Sequence, residues 1–445
     1  MHKVVVKGCR SRSMIIRARK MKKNLYYIVL LLSVAVVVGS CIKNNSGNDQ
    51  DGVTVDVGDL IEVSTGDQFC DIISEIEFVP LETGEDYLLG DIKKVIETDS
   101  AFYVLANVDS RFGQELHVFD KSGRHIKQIS HKGEAPDEYA RLGSFTLIGD
   151  TLYLYDDYKA RIKEFTKHGV YRGIESVQMQ VFGISDITPL GDDGNLLVTS
   201  DITSYSPNLY STISPSRDSV ETAVVSYQFS RDETYTFPLV AGHISDWDDA
   251  SKLVLMPFSQ TLYKLDNSTK ELNPCIHLQS QHPVPLIEVD ADPNEYMKSI
   301  DNQLYIHDIP IAAYRNGDWL IVNFFQGGIL WNIDEGKGYK TLNGLSSDKG
   351  FPLYTSNIVS CSDESGIICW FNAQELLSMK EKAPADAQFM PSDELCSEIQ
   401  EDSNPILVRY RLKRLTIASA SYRCESSAGN CCTKQGLYSG ESKLA

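Results

Sequence analysis

Signatures of several common enzyme and nucleic-acid-binding classes are missing from this 445-residue chain. It has no G-x-S-x-G element and no pair of histidines at metal-binding spacing, so no hydrolase nucleophile and no catalytic zinc site is indicated. It also lacks a C-x-x-C pair of the metal-binding type. Basic residues are few, 42 against 61 acidic ones. An acidic protein is a poor partner for nucleic acid or an anionic lipid surface.

A pattern present twice between Phe102 and Gly173 organises the chain. Each copy has an apolar strand, a loop, a second strand, a turn with glycine in its fourth position, and a third strand. Phe119 and Phe165 are equivalent, which sets a repeat of 46 residues. Apolar residues alternate with period two, as in half-buried strands. Apolar residues at helical spacing are not found in the unit, which argues against a helical solenoid.

Small sheets of this kind bury both faces only by stacking on copies of themselves. A period of about 40–50 residues with several strands per unit is typical of β-propeller blades. Weaker copies follow, and the six units lie at residues 102–126, 152–171, 194–213, 252–266, 318–334 and 366–410. The sequence therefore predicts an all-β, six-bladed β-propeller with four-stranded antiparallel blades, over residues 70–413. An ordinary β-sandwich is the alternative.

Segments outside the repeat are expected to complete the ring. Residues 76–82 form an apolar strand ending near a proline, and we expect this strand to complete the blade formed by the other end of the chain. Insertions at residues 283–304 and 373–404 carry signals for short helices. Insertions between repeats usually gather on one face, which is often the binding face.

The N-terminus has the pattern of a secretory signal over residues 1–40. Two lysines precede an apolar run at residues 25–38, and small residues then lead to Cys41. This arrangement resembles the bacterial lipobox, which implies cleavage before Cys41 and lipid on its sulfur. Met21 is a natural start, so residues 1–20 are interpreted as an over-extended start. A single-pass membrane anchor is the alternative.

The segments flanking the propeller are predicted to be irregular. Residues 41–69 are expected to hold the lipid and a flexible tether, because residues 42–52 are rich in Asn, Ser, Gly and Asp. Residues 53–81 are predicted to be a β-rich entry segment that leads into the propeller. Residues 414–445 are expected to be a disordered tail or the product of a frameshift. Residues 1–40 carry nine basic and no acidic residues, so their removal lowers the formal net charge from −19 to −28. The predicted location is the cell envelope, lipid-anchored at the outer membrane on its periplasmic or surface face.

The ten cysteines have irregular spacings. An exported protein can form disulfides. Cys361 and Cys369 are predicted to lie on neighbouring strands of one hairpin, and they are the pair to test. The alternative is that the cysteines are small buried thiols.

Four stretches of the sequence resemble the bacterial six-bladed β-propeller lipoproteins related to NHL-repeat and TolB-like propellers. They are residues 78–83, 116–123, 131–139 and 404–408. The third stretch resembles the family motif G-x-G-P-G-E-Y, with Ala135 and Asp137 replacing its second and third glycines. The resemblance covers about residues 70–413. It implies a propeller in an envelope lipoprotein and does not imply an activity.

The loop that follows the first repeat is the best candidate site, because connections between blades commonly run towards the central channel. Its candidate ligand-binding residues are His131, Lys132, Glu138, Tyr139 and Arg141. In the alternative the loop is a clamp between blades, where Glu138 satisfies backbone N–H groups and Tyr139 is packed. No catalytic residue, metal ligand or cofactor is assigned.

Three weaker candidates were weighed against structural roles. Residues 191–195 faintly resemble a calcium loop but lack the spaced ligands and terminal Glu, so a turn is predicted there. His307 beside Asp308, and His243 near Asp246, are lone histidines near an acid. Neither pair is assigned a catalytic role.

The function predicted from the sequence is a binding or interaction module of the envelope. Its partner is the membrane, through the N-terminal lipid, together with an envelope protein, a peptide or a glycan. The alternatives are a metal-dependent propeller hydrolase or lactonase, and a scaffold without a small ligand. Three or more acidic or amide side chains within coordination distance on the axis would favour the enzyme, whereas a mixed channel would disfavour it.

Overall fold

The computed structural model describes a set of residues that all fall within one compact unit beginning at Gly52. They are residues 52–62, 72–109, 113–176, 184–200, 208–214, 220–226, 242–256, 258–280, 309–324, 327–341, 345–347 and 350–413. The predicted signal segment, Cys41 and the predicted tail lie outside them. Six small antiparallel sheets form a ring, which confirms the predicted six-bladed propeller.

Three strands precede the first complete blade. They are β1 (Val53–Asp56), β2 (Ile61–Glu62) and β3 (Ile73–Pro80). Blades 1 to 3 then follow, each a four-stranded meander in sequence order. Blade 1 contains β4 (Ile92–Glu97), β5 (Ala101–Asp109), β6 (Gly113–Asp120) and β7 (His125–Ile129). Blade 2 contains β8 (Leu142–Ile148), β9 (Thr151–Asp156), β10 (Arg161–Thr166) and β11 (Tyr171–Glu175). Blade 3 contains β12 (Ile184–Leu190), β13 (Asn195–Ser200), β14 (Asn208–Ile213) and β15 (Val220–Ser226).

The second half of the ring repeats this meander with additions. Blade 4 contains β16 (His243–Asp248), β17 (Ser251–Leu255), β18 (Thr261–Asp266) and β19 (Leu272–Gln279). Blade 5 contains β20 (Pro310–Asn316), β21 (Trp319–Phe324), β22 (Gly328–Asn332) and β23 (Lys337–Thr341). A small hairpin of β24 (Leu345–Ser347) and β25 (Gly350–Leu353) leads to blade 6. Blade 6 contains β26 (Ile358–Ser362), β27 (Gly366–Phe371) and β28 (Ile406–Leu412).

The ring closes in blade 6, because β3 pairs antiparallel with β28 as the fourth strand. The register runs from Pro80 opposite Ile406 to Ile73 opposite Leu412. This pairing confirms the expectation that an N-terminal strand completes the blade formed by the other end of the chain.

The N-terminal segment also contributes two strands whose places in the ring were not predicted. β1 lies parallel to β19 on the outer edge of blade 4, and β2 lies parallel to β23 on blade 5. A flexible tether over all of residues 41–69 does not hold for residues 53–62, which lie in the segment that the sequence also predicts to be β-rich. Residues 53–57 alternate valine with polar residues, and the free edges of β19 and β23 supply the hydrogen bonds of the two strands.

The hydrophobic core is divided among the junctions between blades. Six apolar clusters occur in the described residues, and each is built mainly from two neighbouring blades. The middle strands are buried along their length, as in β9 and β21, whereas the outer strand β11 is mostly exposed. Each sheet thus has both of its faces covered by the two neighbouring sheets. Because every repeat of the alternating strand pattern needs this cover, the sheets stack in turn and close into a ring.

The repeated turns between the third and fourth strands require glycine. Gly123 has a φ of +85°, and a Cβ atom there would lie 2.0 Å from the carbonyl oxygen of Pro80 in the preceding blade. Gly169, at the same position in blade 2, has a φ of +75°. A left-handed backbone conformation and the close approach of the preceding blade both favour glycine at this position of the repeat.

Two short helices interrupt blade 6 between β27 and β28, as predicted. They are α1 (Ala373–Lys382) and α2 (Asp393–Glu398). The hydroxyl of Ser392 accepts a hydrogen bond from the Leu395 N–H and caps α2. The other predicted insertion, residues 283–304, lies outside the described residues. No helix among the described residues is long and apolar enough to cross a membrane.

Cys361 and Cys369 lie on the neighbouring strands β26 and β27, as predicted, but they are not bonded to each other. The four cysteines in the described part of the chain are all free thiols. Burial raises the pKa of the Cys361 and Cys369 thiols well above the usual range. The expectation of a buried thiol is therefore confirmed for Cys369, whereas Cys361 is half-buried.

Candidate functional site

The first strands of the blades line a central channel. Its cavity of about 570 Å³ is bordered by residues of β4, β8, β12, β16, β20 and β26. A second cavity, which we call the mouth cavity, measures about 920 Å³ and lies where the first strands of blades 1 to 3 begin. Lys93, Gln114, Gly143 and Ser185 border both spaces, so the mouth cavity adjoins the channel.

The insertions of the fold attach at this mouth end. In an antiparallel meander, the second strand ends where the first strand begins. The helices α1 and α2 follow the second strand of blade 6, and the hairpin of β24 and β25 precedes its first strand. The opposite end of the channel has tight turns, such as the one joining β4 to β5. The inserted segments next to the strands of blade 6 are therefore attached at the mouth end of the channel.

A β-bulge shapes the start of the first strand in five of the six blades. The pairing shifts between the first and third residues of β4, β8, β12, β20 and β26. A bulge re-aims the side chains that follow it. The third residues are Lys94, Ser144, Asp186, Ala312 and Ser360. Three of these residues form one group, because Lys94 and Ser144 both donate hydrogen bonds to Asp186.

Asp186 is the centre of this group. Its Oδ1 accepts hydrogen bonds from Lys94 Nζ at 2.7 Å and from the Ser144 hydroxyl at 2.7 Å. The Ile187 N–H is a third donor to the same oxygen, at 2.9 Å. Lys94 Nζ also donates to the Ile187 carbonyl at 2.8 Å. Residues from three blades thus form one network that holds the Asp186 carboxylate in the channel.

His243 lies in the same channel, beside Tyr314. The two rings meet edge to face with centroids 4.6 Å apart. The Ala313 N–H lies 3.3 Å from His243 Nδ1, which places the imidazole proton on Nε2. Enclosure by the blades lowers the pKa of His243 to about 4, and the nearby Asp186 charge offsets this only in part. The ring borders the channel but is neutral near pH 7.

Each of these polar groups keeps an atom without a protein partner among the described residues. Asp186 Oδ2 accepts no hydrogen bond, and His243 Nε2 has no acceptor. Lys94 has three N–H donors and uses two. The channel therefore presents two donors and one acceptor on fixed side chains.

Every charged side chain among the described residues that border the two cavities has an opposite charge beside it. Glu97 pairs with Lys121 and Arg409. The other pairs are Lys93 with Asp91, Lys94 with Asp186, Arg141 with Asp157, and Lys252 with Asp246. Asp246, the acid nearest to His243 in the sequence, makes its ion pair with Lys252 and not with His243. The acid that acts on His243 is Asp186, from another blade.

The loop predicted as a binding site has mainly internal contacts. Tyr139 is only 2% exposed. Glu138 Oε2 accepts a hydrogen bond from the Ala135 N–H at 2.8 Å, and Lys163 Nζ donates to the carbonyls of Pro136 and Glu138. These contacts match the clamp alternative.

The five predicted ligand-binding residues are not gathered in one cavity. Arg141 borders the mouth cavity, whereas His131, Lys132, Glu138 and Tyr139 border neither the mouth cavity nor the channel. Ligand binding at those residues stays a prediction. Residues 191–194 form the turn between β12 and β13, and His307 and Asp308 lie outside the described residues.

No group of three or more His, Cys, Asp or Glu side chains that could hold a metal occurs in the part of the chain that the structure describes. The channel lining there is mixed, with serines, paired charges and Tyr314. By the criterion set out from the sequence, this lining does not favour a metal-dependent hydrolase.

Sequence reasoning missed Lys94, Ser144, Asp186 and Tyr314. A signal for three of them was present, since each is the third residue of a first strand. Aligning the segments that precede the first three predicted units would have shown a polar residue followed by an apolar one, as in Lys94-Val95, Ser144-Phe145 and Asp186-Ile187. Their mutual contacts could not be read from the sequence, because they join strands of different blades.

Comparison with known proteins gives a family and a fold. A family model described as a domain of unknown function, DUF4934, matches residues 52–411. No curated protein sequence matches the chain. The crystal structure of a protein described as exported, from Bacteroides fragilis, is 17% identical with a TM-score of 0.57, covering 82% of this chain and 99% of that one.

A second solved structure is more distant. A member of the DUF4221 family from Bacteroides vulgatus is 10% identical with a TM-score of 0.48, covering 76% of this chain and 99% of that one. At these identities, the likeness to the Bacteroides fragilis structure concerns the fold alone.

Proposed function

The chain belongs to the family described as a domain of unknown function, DUF4934, and we propose that it is an envelope lipoprotein whose propeller binds a ligand in the channel and mouth cavity. The observation that carries the proposal is the network at the centre of the channel. Hydrogen bonds to residues of neighbouring blades hold Asp186, Lys94 and His243 in place. Each of the three side chains still keeps a hydrogen-bonding atom without a partner among the described residues. Fixed side chains with free polar atoms in a concave space are what a binding site requires.

The dimensions and surroundings of the cavities support this proposal. Volumes of about 570 and 920 Å³ fall in the range of about 300–1,000 Å³ that holds small ligands. The added chain of blade 6 is attached at the mouth end, where insertions in repeat proteins often contribute to binding. The predicted partners were an envelope protein, a peptide or a glycan, and the cavities suit a small ligand or one end of a larger one.

A binding screen with a plugged channel tests the proposal. The full chain, purified in detergent, is screened by thermal shift against saccharides, peptides and divalent ions. Ser185 is exposed and borders both cavities, so Ser185→Trp should fill the passage without disturbing the core. We expect at least one compound to raise the melting temperature of the wild type and Ser185→Trp to lose that shift.

Two variants serve as controls. Ser185→Ala removes only the hydroxyl that donates to the Thr199 carbonyl. Val170→Trp adds the same bulk at an outer turn, where Val170 is 64% exposed. Both should retain the ligand shift. A screen without any shift, or full affinity in Ser185→Trp, would contradict a binding site in the channel.

The location is proposed from the N-terminal sequence. Lipid on Cys41 would hold the propeller at the outer membrane, and the Bacteroides fragilis protein of the same fold is itself described as exported. Cys41→Ala should abolish incorporation of labelled palmitate in cells and move the protein out of the membrane fraction. Cys70→Ala should leave both unchanged. Labelling that survives in Cys41→Ala would exclude this anchor.

A further inference from the structure

Resting on the channel as the proposed binding site, we infer that its ligand is a neutral, hydroxyl-rich compound, namely a saccharide. Two features of the described lining residues point to this ligand: their charges are all matched by opposite charges, and their free atoms include both donors and an acceptor.

The matched charges disfavour an ionic ligand. A charged group that leaves water for a narrow channel loses hydration, and it recovers this loss only beside an unmatched opposite charge. Lys94 is already neutralised by Asp186, and Lys252 by Asp246. At the mouth, Arg141 is paired with Asp157 in the same way. An acidic or basic ligand would have to break one of these pairs.

The free atoms favour hydroxyl groups. Lys94 and His243 each have an N–H donor without a partner among the described residues, and Asp186 Oδ2 is an acceptor without one. A hydroxyl group both donates and accepts, so a compound rich in hydroxyls can satisfy the donors and the acceptor alike. Because His243 is neutral near pH 7, its Nε2–H donates without adding a charge that would attract an anion.

The rest of the channel lining has the same character. Serine and threonine side chains come from four of the six blades, and they include Ser144, Thr146, Thr188, Ser245, Ser360 and Ser362. A peptide would bring charged termini or charged side chains, and no unmatched counter-charge among the described lining residues could receive them. The observations therefore favour a saccharide over a peptide.

Matched saccharides test the inference on the wild-type full chain. Neutral oligosaccharides are titrated calorimetrically beside counterparts in which one hexose is replaced by a hexuronic acid or a hexosamine. We expect a neutral compound to bind, and its charged counterparts to bind at least tenfold more weakly, which is about 1.4 kcal/mol. A hexuronic acid or hexosamine compound that binds as tightly as the neutral one would overturn the inference.

Charge variants in the channel give a second, independent readout. Asp186→Asn leaves the Lys94 charge unmatched, so the affinity for the hexuronic acid compound relative to the neutral one should rise about tenfold. Lys94→Gln should do the same for the hexosamine compound. Ser144→Ala changes no charge and should weaken all compounds alike. If neither charge variant changes the preference while both keep a wild-type circular dichroism spectrum, the inference is wrong.

The outcomes separate this inference from the proposed function. If peptides or ionic compounds bind and Ser185→Trp prevents it, the saccharide inference fails and the channel remains the binding site. If no compound binds, or if saccharides bind equally well to Ser185→Trp, the channel itself is not the site and both proposals fail.

Discussion

The seam between blades 6 and 1 and the centre of the channel both hold charged side chains away from bulk water, but the two regions use them differently. At the seam, Arg409 of β28 lies between Glu77 of β3 and Glu97 of β4, and Lys121 also binds Glu97. The Arg409 side chain is 11% exposed and that of Glu97 is 8% exposed. The seam charges join the two ends of the described chain to the first blade.

At the channel centre, the corresponding charges are more open. The side chains of Lys94 and Asp186 are 19% and 37% exposed, and they border a cavity. The difference indicates two roles for one kind of interaction. The seam network stabilises the ring by joining blades, whereas the channel network holds polar atoms ready for a ligand.

The largest effect on stability is expected from Arg409→Met. Removing one member of a buried ion pair leaves its partner without compensation, which costs about 3–5 kcal/mol. We expect a loss of that order in the free energy of unfolding, measured by urea denaturation. Arg411→Met is the matched control on the same strand, since its pair with Glu75 is exposed and should contribute less than about 1 kcal/mol. Equal losses in the two variants would remove the special role of the seam.

A smaller loss is expected from Asn404→Ala, also at the seam. The Asn404 side chain accepts from the Leu89 N–H and donates to the carbonyls of Glu82 and Tyr87. Its removal leaves the buried Leu89 N–H and two partly buried carbonyls without this partner, so the free energy of unfolding should fall by about 2–3 kcal/mol. Asn357→Ala, which removes the bond to the Trp370 carbonyl and the acceptor of the exposed Ser356 hydroxyl, should cost about 1 kcal/mol. A cost for Asn404→Ala no greater than for Asn357→Ala would contradict this reading.

The channel residue His243 is instead expected to change how the free energy of unfolding depends on pH. The pKa of His243 is lowered by burial from 6.5 to about 4. As the pH falls below about 6.5, the unfolded chain takes up this proton before the folded one does. The stabilisation is therefore complete above pH 6.5 and is lost towards pH 4, at up to about 1 kcal/mol per pH unit.

Urea denaturation between pH 7 and pH 4.5 measures this slope. His243→Gln removes the titrating group and should flatten the wild-type curve in that window. If the variant and the wild type lose stability at the same rate, His243 is not enclosed as the structure has it.

The smallest stability effect is expected from Asp186→Asn. The Asn side chain can still accept from Ser144 and the Ile187 N–H, and the Lys94 pair is partly exposed, so the loss should be below about 1 kcal/mol. The same variant should alter ligand preference strongly. A large loss of stability with unchanged binding would reverse the roles assigned to seam and channel.

Much of the fold could be predicted from the sequence, because every blade repeats the same short pattern of apolar strands and turns. The spacing of Phe119 and Phe165, the turn glycine at Gly123 and the apolar strand at residues 76–82 each indicated the ring or its closure. β1 and β2 lie in the segment predicted to be β-rich, but their places on blades 4 and 5 were not predicted, because the free edge of a strand distant in sequence decides where a short outer strand pairs.

The candidate site was less accessible to sequence reasoning. The loop around Glu138 has an unusual sequence, but the structure gives its groups to internal contacts. Lys94, Asp186 and His243 are ordinary residues in ordinary strands, and they become a group only because blades 1, 3 and 4 face one axis. Such a site depends on contacts between distant segments, which a single sequence does not contain.

The location of the bound ligand tests the central claim most directly. Hydrogen–deuterium exchange of the full chain is compared with and without the tightest saccharide from the screen. Binding in the channel predicts slower exchange in β4, β8, β12 and β16, with no change in the outer strands β7 and β11. Protection confined to β7 and β11, with the first strands unchanged, would contradict the account.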